Sequence, residues 1–158
     1  MADRERVLCK FSGELLSGRS HRGWNKKAME FVTNEIASVT EFFELVLVIG
    51  GGNIVRGSIL KNELGLSSAV ADYMGMLATI QNALALQDLL EKSVPTRVMS
   101  AVEVKKFAEP YIRRRAIRHL EKGRVVILAG GTGNPNVSTD FAMVSSAIEI
   151  GAVKVFLT

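Results

Sequence analysis

Short apolar runs alternate with segments of helical periodicity along most of the chain. The apolar runs predict strands at residues 6–11, 44–49, 97–101, 124–129 and 153–157. Apolar positions at helical spacing predict helices at residues 25–43, 68–92, 111–122 and 138–150. Strands that alternate with helices are typical of a parallel sheet joined by right-handed crossovers. The pattern therefore predicts an α/β fold with a mostly parallel sheet, built as one domain over residues 1–158.

The predicted last strand lies unusually close to the end of the sequence. Residues 153–157 are mostly apolar, and only Thr158 follows them. An intact domain seldom ends directly after an apolar strand that nothing covers. We therefore expect the C-terminal part of the fold to be missing from these 158 residues.

Composition excludes several classes of protein. Apolar residues make up 47% of the chain and charged residues 23%, which is typical of a globular domain and too apolar for a disordered one. No apolar run reaches the roughly 18–20 residues of a membrane span, and the charged residues 1–6 do not form a secretory signal. We therefore expect a cytoplasmic protein. The single cysteine, Cys9, excludes an internal disulfide and, with only two histidines, argues against a zinc site.

Three predicted strands end in glycine-containing turns, at residues 12–13, 50–52 and 130–133. The carboxyl ends of parallel strands meet at one edge of the sheet, where ligands bind. Glycine lets backbone N–H groups approach a phosphate closely, and a following helix adds its positive N-terminal end. One such turn is explained by sterics alone, whereas three at one edge favour a site for more than one phosphate group.

The familiar phosphate-binding motifs do not fit these turns. Residues 52–57 have the glycine spacing of a Walker A loop, but Ser58 stands where lysine is required. Dinucleotide-binding patterns that start at Gly50 or Gly131 lack their last glycine, at Val55 and Asn136 respectively. We therefore expect neither a P-loop nor a Rossmann site.

Two cations lie near the turns. Lys10 ends the first strand, and Arg56 follows Gly52 by four residues. Such cations can neutralise the charge of a phosphoryl-transfer transition state. Taken singly, they are also explained as an edge-strand lysine and a solvated helix residue, although Lys10 interrupts an apolar strand and faces the ligand edge.

Four segments carry a specific combination of motifs: KFSGE at residues 10–14, IGGGNIVRG at 49–57, ADYMGMLAT at 71–79 and GTGNPNVSTD at 131–140. Together they resemble the bacterial uridylate (UMP) kinases of the amino-acid kinase superfamily, and the resemblance extends over essentially the whole chain. It implies a three-layer αβα fold and transfer of the γ-phosphoryl group of ATP, with Mg²⁺, to UMP, which gives UDP in pyrimidine nucleotide biosynthesis.

The resemblance also implies roles for particular residues. It makes Lys10 the charge-stabilising catalytic residue and Asp140 the organiser of the catalytic cations, with no further metal ligand. The residues implied to contact ATP phosphates are Lys10, Phe11, Ser12, Gly13, Gly52 and Arg56. Those implied to hold UMP are Gly51, Asp72 on the ribose, Thr132, Gly133, Asn134, Pro135, Asn136, Val137, Ser138 and Thr139. No nucleophile or general base is required, because the acceptor phosphate is already anionic.

This chain departs from the family in two respects. Asn136 and Val137 stand where the family often has bulkier aromatic residues, which implies a reshaped uracil pocket. The family also continues into a half that binds the adenine and ribose of ATP, and its next motif, Val-Asp-Gly, is missing here. Thr158 is the residue implied to open that donor half.

Three segments bear on partners. The predicted helix at 68–92 is apolar nearly all round, which fits a core helix and a subunit interface about equally. The resemblance implies a homo-oligomer, a hexamer built from dimers whose subunits pair through this helix, and GTP as a candidate effector near residues 19–24. The basic cluster at 113–122 and the net charge of +4 permit nucleic-acid binding. Since Tyr111 is the only aromatic near the cluster, we favour a solvated face.

Three functional hypotheses follow. The first is a UMP kinase, or the acceptor-binding portion of one. The second is a non-catalytic homologue that binds UMP or assembles with partners without turnover. The third, a superfamily kinase that phosphorylates a carboxylate, is disfavoured by the segment around Asp72. The sequence does not decide between the first two.

Overall fold

A six-stranded parallel sheet forms the centre of the protein, whose computed structural model describes residues 4–157. The strands are β1 Glu5–Phe11, β2 Phe43–Ile49, β3 Thr96–Ser100, β4 Glu109–Pro110, β5 Val125–Ala129 and β6 Lys154–Leu157. Their order is β4-β3-β5-β2-β1-β6, and each neighbouring pair is parallel. Thr158, implied to open a donor half, lies outside the described residues.

Helices cover both faces of this sheet. They are α1 Lys26–Val39, α2 Gly57–Asn62, α3 Ser68–Leu90, α4 Arg113–Glu121 and α5 Thr139–Ile150. Alternate side chains of a strand point to opposite faces, so Leu45 and Leu47 of β2 pack with α1 and α3, while Val46 packs with α4 and α5. The predicted three-layer fold with a mostly parallel sheet is confirmed.

The sequence prediction was wrong at the end of the first helix and missed several short elements. The helix ends at Val39 rather than at residue 43, because the chain turns and Phe43 already pairs with Glu5 in the sheet. Also missed were α2, the two-residue β4 and two 3₁₀ turns at Gly13–Leu16 and Gly18–Ser20. Elements of two to six residues are too short to show a period of their own.

Helix α3 is the longest element and combines a buried face with an exposed one. Its inner residues, such as Ile80, Ala83 and Leu86, belong to the core, and Ser67 caps its first turn by accepting a hydrogen bond from the backbone N–H of Val70. The core role predicted for this helix is therefore confirmed for the inner face. Its role as a subunit interface stays a prediction.

The strand β6 lies at one edge of the sheet and pairs with β1. All four of its residues are exposed, and they include the large apolar side chains of Phe156 and Leu157.

Among residues 4–157, no helix has the length and apolar character that crossing a membrane requires.

Candidate functional site

A cleft of about 440 Å³ opens at the carboxyl edge of the sheet, and we call it the edge cleft. Its walls come from the ends of three neighbouring strands and from the first turns of α3 and α5. Lys10, near the end of β1, lines one side of the cleft. Gly51 and Gly52, which follow β2, and Gly131, which follows β5, also line it. The parallel sheet brings these positions together because the carboxyl ends of its strands lie side by side.

Eight of the predicted site residues line the edge cleft. They are Lys10, Gly51, Gly52, Asp72, Val137, Ser138, Thr139 and Asp140. The other predicted residues do not line it. Of these, Arg56 lines a neighbouring cleft of about 430 Å³ that also contains Gly52 and Asn53. The glycine turns therefore do converge, but the predicted set covers more than one cavity.

Phe11 lies on the other face of β1. With Cys9, it lines a larger, mainly apolar groove of about 990 Å³ beside α1. Lys10 lies between them and turns to the opposite face, as alternation along a strand requires. A contact between Phe11 and a ligand in the edge cleft would therefore involve its backbone rather than its ring.

Burial raises the pKa of the Cys9 thiol.

Lys10 and Asp140 form an ion pair in the edge cleft, although 130 residues separate them in the sequence. The Lys10 side chain is 22% exposed and that of Asp140 is 65% exposed. Asp140 stands in the first turn of α5, whose N-cap Ser138 accepts a hydrogen bond from the backbone N–H of Phe141. The two residues predicted to be catalytic are thus neighbours.

The turn after β2, residues 50–53, is called here the first glycine turn. It packs directly on α3: a Cβ atom added to Gly51 would lie 2.8 Å from the Cβ of Ala78 and 2.9 Å from the carbonyl oxygen of Gly75. Any side chain at Gly51 would therefore force the turn away from the helix. Close approach, rather than an unusual backbone conformation, requires glycine at this position.

The segment after β5, residues 130–137, is called here the second glycine loop. Gly130 and Gly131 have φ angles of 81° and 58°, which glycine adopts readily. The backbone N–H of Gly130 donates to the hydroxyl of Thr79 at 2.8 Å, which ties the loop to α3. Thr79 lies in the motif segment 71–79, of which only Asp72 was predicted to have a role in the site.

Asp72 joins α3 to the second glycine loop. Its carboxylate accepts a hydrogen bond of 2.7 Å from the backbone N–H of Asn136 and pairs with the Lys61 ammonium at 3.3 Å. The hydrogen bond from the Asn136 N–H holds the pKa of the Asp72 carboxyl below its ordinary value; burial acts in the opposite direction, and Lys61 adds to the lowering.

The structure shows how Asn136 and Val137, the residues expected to depart from the family, are used in the loop. Asn136 has a φ of 63°, in the left-handed region where asparagine is favoured over aromatic or branched residues. Val137, the next residue, lines the edge cleft. Asn136 therefore shapes the loop through its backbone, whereas Val137 forms part of the wall.

Arg56 does not point into the edge cleft. Its guanidinium forms an ion pair of 2.5 Å with Glu14, which lies in the turn after β1. The pair links the segment that follows the first glycine turn to residues 12–14. Glu14 belongs to the KFSGE motif, but no feature of the sequence marks it as the partner of Arg56.

The cleft offers few metal ligands. Within residues 4–157, no group of three or more His, Cys, Asp or Glu side chains could hold a metal ion. Asp72 and Asp140 are the carboxylates that line the edge cleft. Such a site suits Mg²⁺, which proteins commonly bind through one or two carboxylates together with the phosphates of a substrate.

A parallel sheet that carries glycine turns and a lysine at its carboxyl edge is typical of α/β proteins that bind phosphate groups. The sequence model of the amino acid kinase family matches residues 5–158, and the chain belongs to this family. It resembles in particular the uridylate kinase of Rubrobacter xylanophilus, with 55% identity over 149 residues. That alignment covers 93% of this chain and 58% of the relative, so the chain spans little more than half of the relative's length.

Solved structures of UMP kinases are also similar to this chain. The UMP kinase of Bacillus anthracis superposes with a TM-score of 0.92 at 40% identity, over 98% of this chain and 64% of that one. The UMP kinase of Ureaplasma parvum also gives a TM-score of 0.92, at 32% identity, over 98% of this chain and 66% of that one. The resemblance to UMP kinases that the motifs indicated is thus confirmed.

Proposed function

We propose that this chain forms the UMP-binding part of a UMP kinase, a phosphotransferase that moves the γ-phosphoryl group of ATP to UMP and yields UDP and ADP. The observation that carries this proposal is the meeting of Lys10, Gly51 and Asp140 in one cleft at the carboxyl edge of the sheet. The similarity to uridylate kinases supports UMP as the acceptor. The reaction belongs to pyrimidine nucleotide biosynthesis.

Each of these three residues has a chemical role in the proposal. Gly51 presents backbone without a side chain to the phosphate of UMP. The Lys10 ammonium stabilises the negative charge of the phosphoryl group during transfer. Asp140 orients that ammonium through their ion pair. Because the acceptor phosphate is anionic at neutral pH, no side chain has to remove a proton from it.

The remaining roles follow the resemblance. For the ATP phosphates we propose Lys10, Phe11, Ser12, Gly13, Gly52 and Arg56. For UMP we propose Gly51, Asp72, Thr132, Gly133, Asn134, Pro135, Asn136, Val137, Ser138 and Thr139. Since the Asp72 carboxylate already has Asn136 and Lys61 as partners, a ribose hydroxyl has to join or replace one of them.

We propose Mg²⁺ as the cofactor that accompanies ATP. Asp140 is the residue that would hold it, because its carboxylate is exposed at the cleft. When bound, the ion neutralises charge on the phosphates. Asp140 would then share its carboxylate between the ion and Lys10.

We also propose a cytoplasmic homo-oligomer. Three apolar side chains on the outer face of α3, those of Val70, Tyr73 and Leu77, are about half exposed and lie three to four residues apart. This spacing places them on one face of the helix, as a helix-to-helix contact between subunits requires. The hexameric state and a GTP effector are further proposals that rest on the resemblance.

An assay for ATP-dependent formation of UDP, combined with calorimetric titration of UMP, tests this function on the 158-residue chain. UMP binding with turnover supports the kinase. UMP binding without turnover supports the second hypothesis, a non-catalytic UMP-binding homologue. CMP serves as the matched control nucleotide. A chain that neither binds UMP nor forms UDP overturns the proposal.

A further inference from the structure

Two buried asparagine side chains lie directly behind the first glycine turn. Asn53 belongs to the turn and is 3% exposed, and Asn82 belongs to the middle of α3 and is 0% exposed. Their carboxamides form two hydrogen bonds with each other: Asn82 Nδ2 donates to Asn53 Oδ1 at 2.7 Å, and Asn53 Nδ2 donates to Asn82 Oδ1 at 3.1 Å. We call them the asparagine pair.

The asparagine pair reaches three backbone or side-chain groups around it. Asn82 Nδ2 donates to the carbonyl oxygen of Gly50 at 2.7 Å, and Asn53 Nδ2 donates to that of Gly23 at 2.8 Å. The indole N–H of Trp24 donates to Asn82 Oδ1 at 2.9 Å. Asn82 thereby uses both of its N–H donors and both lone pairs of its oxygen. Only one orientation of its amide satisfies all four bonds.

The turn after β1 also packs against this pair. A Cβ atom added to Gly13 would lie 2.5 Å from the Gly50 carbonyl oxygen and 3.0 Å from Asn82 Nδ2. Two glycine turns predicted to contact phosphates therefore meet at the asparagine pair. Neither Asn53 nor Asn82 is among the site residues proposed above.

We propose that Asn53 and Asn82 are positioning residues, which hold the first glycine turn in the conformation that lines the edge cleft. The hydrogen bond from Asn82 fixes the direction of the Gly50 carbonyl, and this peptide group leads directly into the backbone of Gly51. An apolar side chain of the same size would fill the space without fixing that direction. For its ligand, the inference rests on the proposed function, since it takes UMP as the anion held by the turn.

The experiment compares Asn82→Ala with Gln87→Ala. Gln87 is the matched control because it carries the same functional group on the same helix, yet it donates to the carbonyl oxygen of Thr96, away from the cleft. We measure UMP affinity by calorimetry, thermal unfolding, and the amide resonances of Gly51 and Gly52 with the indole N–H resonance of Trp24 by NMR. Trp24 is the only tryptophan, so its signal is unambiguous.

We expect Asn82→Ala to weaken UMP binding about tenfold, because buried partners are left unsatisfied and the turn relaxes. The glycine amide and Trp24 indole resonances should move even without ligand. Gln87→Ala should change unfolding alone and leave these resonances and the UMP affinity unchanged. If Asn82→Ala lowers the UMP affinity and Gln87→Ala lowers only the stability, Asn82 has a positioning role rather than a merely structural one. Equal effects of the two variants on affinity and on the glycine resonances would overturn the inference.

Two further outcomes are informative. If the unaltered chain does not bind UMP, the proposed function fails, but the glycine resonances of the ligand-free variants still decide the positioning role. If Asn82→Ala does not fold, the side-chain N–H protons of Asn82 in the unaltered chain provide the test. Slow exchange of these protons with solvent supports the inference, and fast exchange contradicts it, because a fully paired buried amide is protected.

Discussion

The first glycine turn and the second glycine loop line the same cleft but are held in place differently. The first lies on α3 and ends in the buried Asn53. The second is tied to α3 at its start by the hydrogen bond from Gly130 to Thr79. Beyond Gly130 it depends on the positive φ angles of its glycines and on a contact between Asp72 and Asn136, and residues 131–137 are half-buried or exposed. Interior packing thus holds the first glycine turn, whereas the second glycine loop beyond Gly130 is held by backbone conformation and surface contacts.

This difference indicates different tasks. A segment with buried contacts opens only at a high free-energy cost, whereas an exposed loop with few buried contacts opens easily. We therefore expect the first glycine turn to keep a constant shape, which suits a phosphate group. The second glycine loop can adapt its shape, which suits contacts with the base.

The largest expected effect comes from breaking the ion pair that connects the two sides of the cleft. Lys10→Ala should lower turnover by about 10²–10³-fold, because the transferred phosphoryl group loses a charge partner, and should leave UMP binding nearly unchanged. Initial rates and calorimetry check this. Lys154→Ala is the control, since Lys154 forms an exposed ion pair with Glu5 outside the cleft. Loss of UMP binding with unchanged turnover per bound complex would contradict the role given to Lys10.

A second substitution tests the packing of the first glycine turn. Gly51→Ala should lower the free energy of unfolding by about 1–3 kcal/mol, because its Cβ atom would overlap with α3. Gly52→Ala is the matched control, since a Cβ atom there would have its nearest neighbour 4.0 Å away. Chemical denaturation measures both. Equal stability of the two variants would show that close packing does not hold this turn.

A third substitution tests the backbone conformation of the second glycine loop. Gly131→Ala should cost about 1–2 kcal/mol of stability, because alanine disfavours the positive φ of this position. Gly75→Ala, in the middle of α3 with open space for a Cβ atom, should instead stabilise by roughly 0.5–1 kcal/mol. Thermal unfolding of both variants provides the measurement. A stabilised Gly131→Ala variant would mean that the loop does not need this conformation.

The smallest expected effect concerns pH. The pKa of Asp72 lies below its ordinary value of 3.8 in the folded protein, so this carboxylate contributes stability above that value and loses it as the pH falls through the lowered pKa. Acidification should therefore move the Asn136 amide resonance, with a midpoint below 3.8. In Asp72→Asn this titration should vanish. The interpretation fails if the resonance titrates in the same way in the variant.

The sequence predicted the part of the site that lies at strand ends. Lys10, Gly51 and Asp140 could be placed together because parallel strands and the helices that follow them share one edge. The fold itself was predictable for the same reason, since long strands and helices show their period. The short helix α2 was not, because six residues starting at a glycine read as a loop.

The asparagine pair could not be predicted from the sequence. Asn53 and Asn82 are 29 residues apart, and nothing in either segment marks the other as a partner. Their contact exists only because α3 crosses directly over the first glycine turn. Pairings of this kind depend on how helices and turns pack, which hydrophobic periodicity does not encode. The Arg56–Glu14 ion pair was not predicted for the same reason, since it also depends on how the turns pack.

The hydrogen bond from Trp24 to Asn82 has a practical consequence. Indole emission depends on the hydrogen bonding and solvent exposure of the ring, and this chain contains one indole only. Its fluorescence spectrum is therefore a built-in optical probe of the chain segment behind the cleft. Stopped-flow fluorimetry could follow the binding of a ligand at the turn in unlabelled protein.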